Sequence, residues 1–174
     1  MSFQSVQDIR SDLESLSERQ ALLATEPTTK KFVDAFFPGL TLKKSIVWIT
    51  ITQAVVYVVT CLWSGSFAPT DLTLLNFGGA YGPAIRHGQI WRLFTPIFLH
   101  ASIWHVVINL LFILYMSLNI ESKYGTKNFL ILYFVAGVLG NMMTVLCRPC
   151  ALSVGASTCG FGLIGALLTE ICLA

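Results

Sequence analysis

Polar side chains within one apolar stretch are the first residues in this sequence that could do chemistry. The stretch covers residues 88–118 and carries Arg92, His100, His105 and Asn109. An ionisable or polar group in a lipid-spanning segment is costly, so it marks a candidate functional site. His105 and Asn109 are four residues apart and share one helix face, which must contact protein or trapped water.

A serine between small residues is the second chemical feature. Ser157 lies in the stretch 155–166, GASTCGFGLIGA, where another apolar helix is predicted to begin. Backbone N–H groups at a helix start are unpaired and carry the positive end of the dipole. Such a serine can attack a carbonyl carbon while nearby N–H groups hold the oxyanion, and His105 and Asn109 are candidate side-chain donors to the same oxyanion.

The same small residues support a second interpretation in which the stretch only packs. Gly162 and Ala166 have the four-residue spacing that lets membrane helices approach closely. Gly137 and Gly140 predict the same close approach in the preceding apolar run. From the residues alone, packing and nucleophilic catalysis both remain open for this helix.

The composition indicates a polytopic membrane protein. Of the 174 residues, 55% are hydrophobic and 11% are charged, whereas a soluble domain carries about 25% charged residues. The mean hydropathy is +0.70. The net charge of +2 is too small to argue for a nucleic-acid partner, and we interpret the lysines as topology signals.

Four membrane spans are predicted, at residues 45–63, 102–118, 128–146 and 157–174, in an all-α fold. Residues 121–127 are the predicted inner turn. Lysines before the first span place the N-terminus in the cytosol. No cleavable signal peptide is evident, so the first span is expected to direct insertion. We divide the chain into a cytosolic segment, 1–44, and a transmembrane domain, 45–174.

The cytosolic segment has two predicted parts. Residues 1–26 suggest a short amphipathic helix, either a solvated helix or tail, or a partner-binding coiled coil. Residues 30–44 mix lysines with phenylalanines and are expected to lie on the headgroup layer. The helix prediction depends on a plausible N-cap, Ser5, and on the three- and four-residue spacing of the apolar residues Ile9, Leu13, Leu16 and Leu23.

The connection at residues 64–90 is predicted to be a half-embedded lumenal loop, because its prolines and glycines argue against a span. Trp91 and Arg92 follow it. Arg92 is either an anchor at the membrane interface or a hydrogen-bonding hub that fixes the loop. Glu121 lies about 18 Å along a helix from Asn109, so we assign it a structural role.

The cysteines predict no disulfide framework, since most lie in or beside apolar runs and behave as small hydrophobes. Cys147 and Cys150 resemble half of a zinc site, but a second ligand pair is missing. A local disulfide in an oxidising lumen is the preferred interpretation. We expect no metal and no cofactor.

Together these motifs resemble the rhomboid intramembrane serine proteases, over roughly residues 75–174. The resemblance implies a rhomboid-like helical bundle of six or more helices, four of them predicted here. It is carried, in order, by Trp91-Arg92, by His100, His105 and Asn109, by Glu121 and Gly125, and by Gly155-Ala156-Ser157.

By this resemblance, Ser157 is the nucleophile of a Ser–His dyad. His105, Asn109 and the Ser157 N–H would form the oxyanion hole, and His100 would shape a water-filled cavity. Trp91 and Arg92 would belong to a membrane-embedded first loop. The implied substrates are transmembrane proteins within the lipid bilayer.

The sequence departs from the family pattern at two points. Thr158 stands where the family has glycine or alanine, and its side chain is expected to crowd the site. No histidine follows Ser157, so the base is expected on a helix beyond this chain. Two alternatives remain: a non-catalytic relative that binds membrane-protein clients, and a small channel or metal-handling protein using His100, His105 and the cysteines.

Overall fold

The computed structural model describes residues 11–19 and 33–173, which divide into two compact units between Pro38 and Gly39. In the first unit, residues 11–19 and 33–36 are helical, and Leu13 and Leu16 are exposed. The helix predicted in residues 1–26 is therefore confirmed in its central part. Ile9, Leu23 and Ser5 lie outside the described residues.

Helix α1 spans Ser45–Ser64, as the first apolar run predicts. Its 20 residues extend about 30 Å. The helix ends because Gly65 adopts the left-handed conformation, with φ 65°, which a side chain disfavours. The N–H of Ser66 then donates to the carbonyl of Cys61 at 3.2 Å, which satisfies one terminal carbonyl.

The connection after α1 is more regular than the predicted loop. It contains the short helices α2, Asp71–Asn76, and α3, Gly82–Arg86, followed by two 3-10 turns, Ile90–Leu93 and Thr95–Phe98. Backbone hydrogen bonds tie it to the segment before Ser157: Ala80 and Ser153 form an isolated bridge. This short pairing satisfies the backbone N–H and carbonyl groups of both residues.

Helix α4 spans Ile103–Cys147 and contains the second and third predicted spans in one 45-residue element. The seven-residue inner turn predicted at 121–127 is instead a break at Gly125, the only non-helical residue inside α4, with φ 78° and ψ 160°. We call the parts before and after Gly125 the first arm and the second arm. His105 of the first arm and Gly140 of the second both lie against the start of the last helix, so the arms form a hairpin.

Helix α5 spans Ser157–Leu173 and packs against both arms. A Cβ on Gly162 would lie 2.2 Å from the Cβ of Ala136 in the second arm. A Cβ on Gly160 would lie 2.8 Å from the Phe112 ring in the first arm. At these glycines, and at Gly137 and Gly140, the helices approach too closely for an added Cβ, which is the packing that small residues permit.

Within the described residues, α1 and α4 are long and apolar enough to cross a membrane, and α5 is a shorter apolar helix. The predicted number of four spans stays a prediction.

The core between the helices includes a polar contact. Gln53 of α1, fully buried, donates to the carbonyl of Ile97 and to the hydroxyl of Tyr133, both at 3.0 Å.

Candidate active site

Ser157 is placed by the glycine two residues before it. Gly155 has φ 122°, which disfavours any side chain, and its N–H donates to the carbonyl of Pro96 at 2.9 Å. A Cβ on Gly155 would lie 2.7 Å from Nε2 of His105. Only glycine therefore lets the chain pass this close to the imidazole and then begin α5 at Ser157.

His105 lies in the first turn of α4 and presents one ring nitrogen to the Ser157 segment. The hydroxyl of Ser102 caps the helix by accepting the N–H of His105 at 3.2 Å. Nδ1 accepts the Ala101 N–H in a long hydrogen bond of 3.4 Å. This bond assigns the imidazole proton to Nε2, so that nitrogen is a hydrogen-bond donor beside Gly155.

Asn109 lies one turn further along α4 and shares a cavity with Ser157. The cavity has a volume of about 210 Å³ and is otherwise lined by Ile108, Phe112 and Phe161. Nδ2 of Asn109 donates to the carbonyl of His105 at 2.8 Å. A carboxamide nitrogen carries two protons, so one remains for a ligand in the cavity.

His100 is fully buried beside His105. The two rings meet edge to face, with centroids 5.2 Å apart and planes at 72°. Neither ring nitrogen of His100 has a hydrogen-bond partner among the described residues. Burial, and then the neighbouring His105, lower the pKa of His100 to about 4, so the ring is neutral near pH 7.

The structure therefore brings together Ser157, Asn109 and His105, with His100 behind them. The sequence model of the rhomboid domain matches residues 87–174, half of the chain, and includes all four. The chain belongs to the rhomboid family. With its apolar helices, this membership makes it an integral membrane protein.

Several curated relatives are similar to this rhomboid. Rhomboid-like protease 3 of Toxoplasma gondii is 48% identical over 88% of this chain and 59% of its own length. Rhomboid-like protease 1 of the same organism is 41% identical over 82% of this chain and 50% of its own length. The Arabidopsis thaliana protein named Inactive RHOMBOID-like protein 8 is 31% identical over 59% and 30%, respectively. The chain spans about half the length of these two Toxoplasma gondii relatives.

Arg92 of this rhomboid is a hydrogen-bonding hub in the connection. Its Nη1 donates to the carbonyls of Leu75 at 2.6 Å and Gly79 at 3.1 Å, and its Nε donates to Oε1 of Gln89 at 2.6 Å. These bonds favour the hub over the interface anchor. Trp91 is half exposed, and its carbonyl accepts the hydroxyl of Thr95 at 3.1 Å.

Glu121 lies at the far end of the first arm from the cavity, as its spacing from Asn109 predicts. Its carboxylate accepts the backbone N–H groups of Ser45 and Ile46, at 2.8 and 3.3 Å, and the hydroxyl of Thr126 at 2.9 Å. Glu121 thus caps the N-terminus of α1, where Lys44 provides no side-chain cap. The sequence predicted a structural role but not this partner.

Cys147 and Cys150 are free thiols exposed at the end of α4, so the preferred local disulfide is not formed in the structure. Within the described part of the chain, no group of three His, Cys, Asp or Glu side chains could hold a metal ion. No cluster of ligands among the described residues therefore supports the metal-handling alternative.

Sequence reasoning missed two buried amide side chains outside the motifs, each of which joins separate elements of the fold. Gln53 joins α1 to the second arm, as described above, and Asn141 of the second arm donates to the carbonyl of Leu93 at 2.9 Å. Both are polar residues in apolar helices. A polar residue within an apolar helix was the signal that could have found them, because a polar group inside a membrane usually pairs with another part of the protein.

Proposed function

We propose that this rhomboid is an intramembrane serine endopeptidase with Ser157 as its nucleophile. The main support is the shared cavity of Ser157 and Asn109, with Nε2 of His105 beside Gly155. A hydroxyl and several donors converge at the start of a helix, which is the arrangement acyl transfer requires. The protease names of the relatives support the same class of reaction.

In this mechanism, Oγ of Ser157 attacks the carbonyl carbon of a substrate peptide bond. The carbonyl π bond breaks, and the resulting oxyanion accepts hydrogen bonds from the Ser157 N–H, Nε2–H of His105 and the free Nδ2–H of Asn109. His105 acts as a donor, because its Nδ1 already accepts the Ala101 N–H. Each such donor contributes roughly 10²–10³-fold in rate.

The proton of Ser157 requires a general base, since a serine hydroxyl is a weak nucleophile near neutral pH. No histidine follows Ser157 within the 174 residues, and we assign the base to a histidine on a helix outside them. That histidine would take the Oγ proton and give it to the leaving amine. Water would then cleave the acyl-enzyme and restore the hydroxyl.

The proposed substrates are transmembrane proteins cut in or beside a membrane helix. A membrane helix has all its backbone groups paired, so it must unwind before a carbonyl can reach Ser157. The aromatic walls of the cavity, Phe112 and Phe161, suit an apolar segment. Lysines before α1 support a cytosolic N-terminus.

The test is labelling of the full-length protein in detergent by a fluorophosphonate, which reacts with activated serines. We expect labelling that Ser157→Ala abolishes. Ser153→Ala is the matched control, because Ser153 lies in the same segment and contacts Ala80 only through its backbone. Labelling that persists in Ser157→Ala, or is absent from the full-length protein, contradicts the proposal.

The second candidate is a non-catalytic rhomboid that binds membrane-protein clients. It is favoured by the name of one relative, Inactive RHOMBOID-like protein 8 of Arabidopsis thaliana. This candidate predicts that a captured client remains intact and that Ser157→Ala leaves capture unchanged. Client cleavage that is lost in Ser157→Ala excludes it.

A further inference from the structure

Thr158, the residue after the proposed nucleophile, is in close contact with a glycine of the second arm. Thr158 packs on Gly140 of the second arm, where a Cβ on Gly140 would lie 2.7 Å from Cβ and 2.8 Å from Cγ2 of Thr158. Both atoms lie close to the backbone of α5. A different rotamer of Thr158 could not relieve the contact with its Cβ, so the helix itself would have to move.

Shape, not hydrogen bonding, holds Thr158 in this position. Its Oγ1 is buried without a hydrogen-bond partner among the described residues. Threonine is β-branched, so its side chain has few rotamers and keeps a fixed shape in a close contact. The side chain of Thr158 packs towards Gly140 and does not line the cavity that Ser157 shares with Asn109, so the crowding expected of it does not occur in that cavity.

A neighbouring contact differs in kind. A Cβ on Gly137, one turn earlier in the second arm, would lie 2.5 Å from Sγ of Cys159 and 2.7 Å from Cδ1 of Ile97. Both of these atoms are the ends of side chains and can rotate aside. Gly140 therefore sets the distance between the second arm and the first turn of α5.

We propose that Gly140 and Thr158 are a size-matched pair of positioning residues that fix Ser157 in the cavity. The proposal deepens the proposed function, because the position of Ser157 matters for catalysis only if Ser157 is the nucleophile. Neither residue touches the substrate. A displacement of about 1 Å at the reacting atom can lower a rate by roughly 100-fold.

The experiment measures fluorophosphonate labelling rates of four variants of the full-length protein in detergent. Gly140→Ala should slow labelling of Ser157 by about 10- to 100-fold, although alanine favours a helix more than glycine does. Thr158→Gly leaves a gap at this contact instead of a clash, and it should slow labelling by less than Gly140→Ala does. The double variant should recover the rate, because an alanine Cβ at 140 would meet only Cα of residue 158, at 3.6 Å.

Gly165→Ala is the matched control, since it makes the same substitution in α5 where no atom lies within 4 Å of the added Cβ. Its labelling rate should be unchanged. Thermal unfolding of every variant separates loss of folding from displacement of Ser157. A Gly140→Ala rate equal to that of the wild type, or a folded double variant that still labels slowly, overturns the proposal.

A separate readout distinguishes failure of this pairing from failure of the proposed function. If the wild-type protein does not label, the same variants are made with Ser157→Cys, and alkylation of that cysteine by a maleimide is located by mass spectrometry. Gly140→Ala should change the alkylation rate and the double variant should restore it. Identical alkylation rates in all variants contradict the pairing, whatever the activity.

Discussion

The carboxylate of Glu121 accepts the backbone N–H of Ser45 at 2.8 Å, although 76 residues separate them in the chain. The same carboxylate accepts the hydroxyl of Thr126, just after the break at Gly125. One side chain therefore joins the start of α1 to the turn between the two arms of α4. A negative charge at a helix N-terminus also interacts favourably with the helix dipole.

We predict that Glu121→Gln destabilises the protein by about 1–3 kcal/mol, because a neutral amide cannot accept all of these hydrogen bonds. Thermal unfolding in detergent measures the change. Glu170→Gln is the matched control, since Glu170 also joins two helices, through an ion pair with Lys123 and a hydrogen bond from the Tyr124 hydroxyl at the protein surface, where such contacts contribute little to stability. Equal shifts of the unfolding midpoint in both variants would contradict the capping role.

Local features of this fold could be predicted from the sequence, while contacts between distant segments could not. The apolar run from Ser45 predicts α1, and the runs on either side of Gly125 predict the two arms. The polar residues at 121–127 suggested a full turn, but a helix outside lipid tolerates polar residues. Only glycine at position 125 was needed to reverse the chain, because of its positive φ.

In the candidate site, too, local features could be predicted from the sequence and contacts between distant segments could not. Four-residue spacing is enough to put His105 and Asn109 on one face. Their approach to Ser157 depends on packing between α4 and α5, which no local pattern encodes. The residue types suggested them as oxyanion donors, and only the family resemblance related them to Ser157 in space. The pairing of Thr158 with Gly140 was invisible for the same reason, and Thr158 alone suggested crowding.

Gly155→Ala is predicted to displace Ser157. The added Cβ would meet Nε2 of His105 at 2.7 Å, in a backbone conformation with φ 122° that disfavours a side chain. Fluorophosphonate labelling should fall by about 100-fold or more, as expected for a misplaced nucleophile. The labelling rate and the unfolding midpoint are measured together.

Gly88→Ala is its control, because Gly88 has φ 92° and nothing within 4 Å of an added Cβ. Both substitutions should destabilise the fold by roughly 1 kcal/mol through backbone strain. Only Gly155→Ala should lose labelling. A normal labelling rate in Gly155→Ala would show that the contact with His105 does not control the position of Ser157.

His100 is predicted to make the fold sensitive to acid. Burial lowers its pKa from an ordinary value of 6.5 to about 4, so between these values the unfolded chain binds the proton more readily. Stability from the neutral ring is present above pH 6.5 and is lost as the pH falls towards 4. The free energy of unfolding should fall by about 1.4 kcal/mol per pH unit in this window.

The measurement compares unfolding midpoints between pH 4 and 7 in the wild type and His100→Asn. Carboxylates that titrate in the same window contribute equally to both proteins, so the difference reports His100 together with its interaction with the adjacent His105 ring. His87→Asn, at an exposed position of the connection, is the matched control. A pH dependence that survives unchanged in His100→Asn would contradict the assignment.

Asn109→Ala is predicted to lower the rate of substrate cleavage without weakening substrate binding. In the proposed mechanism, the free Nδ2–H of Asn109 meets the oxyanion only after Ser157 has attacked, so its loss should fall on kcat and leave KM unchanged. Removal of one oxyanion donor costs roughly 10²–10³-fold in kcat. Cleavage of a transmembrane reporter substrate by the full-length protein, reconstituted in vesicles, provides both constants.

Asn119→Ala is the control for this experiment, because Asn119 makes the same kind of side-chain hydrogen bond to the carbonyl four residues earlier on the first arm. Its Nδ2 donates to the carbonyl of Tyr115 at 3.4 Å, at an exposed position away from the cavity. Loss of that bond should leave both constants unchanged. If Asn109→Ala instead raises KM and spares kcat, Asn109 holds the ground-state substrate, and the oxyanion must depend on His105 and the Ser157 N–H.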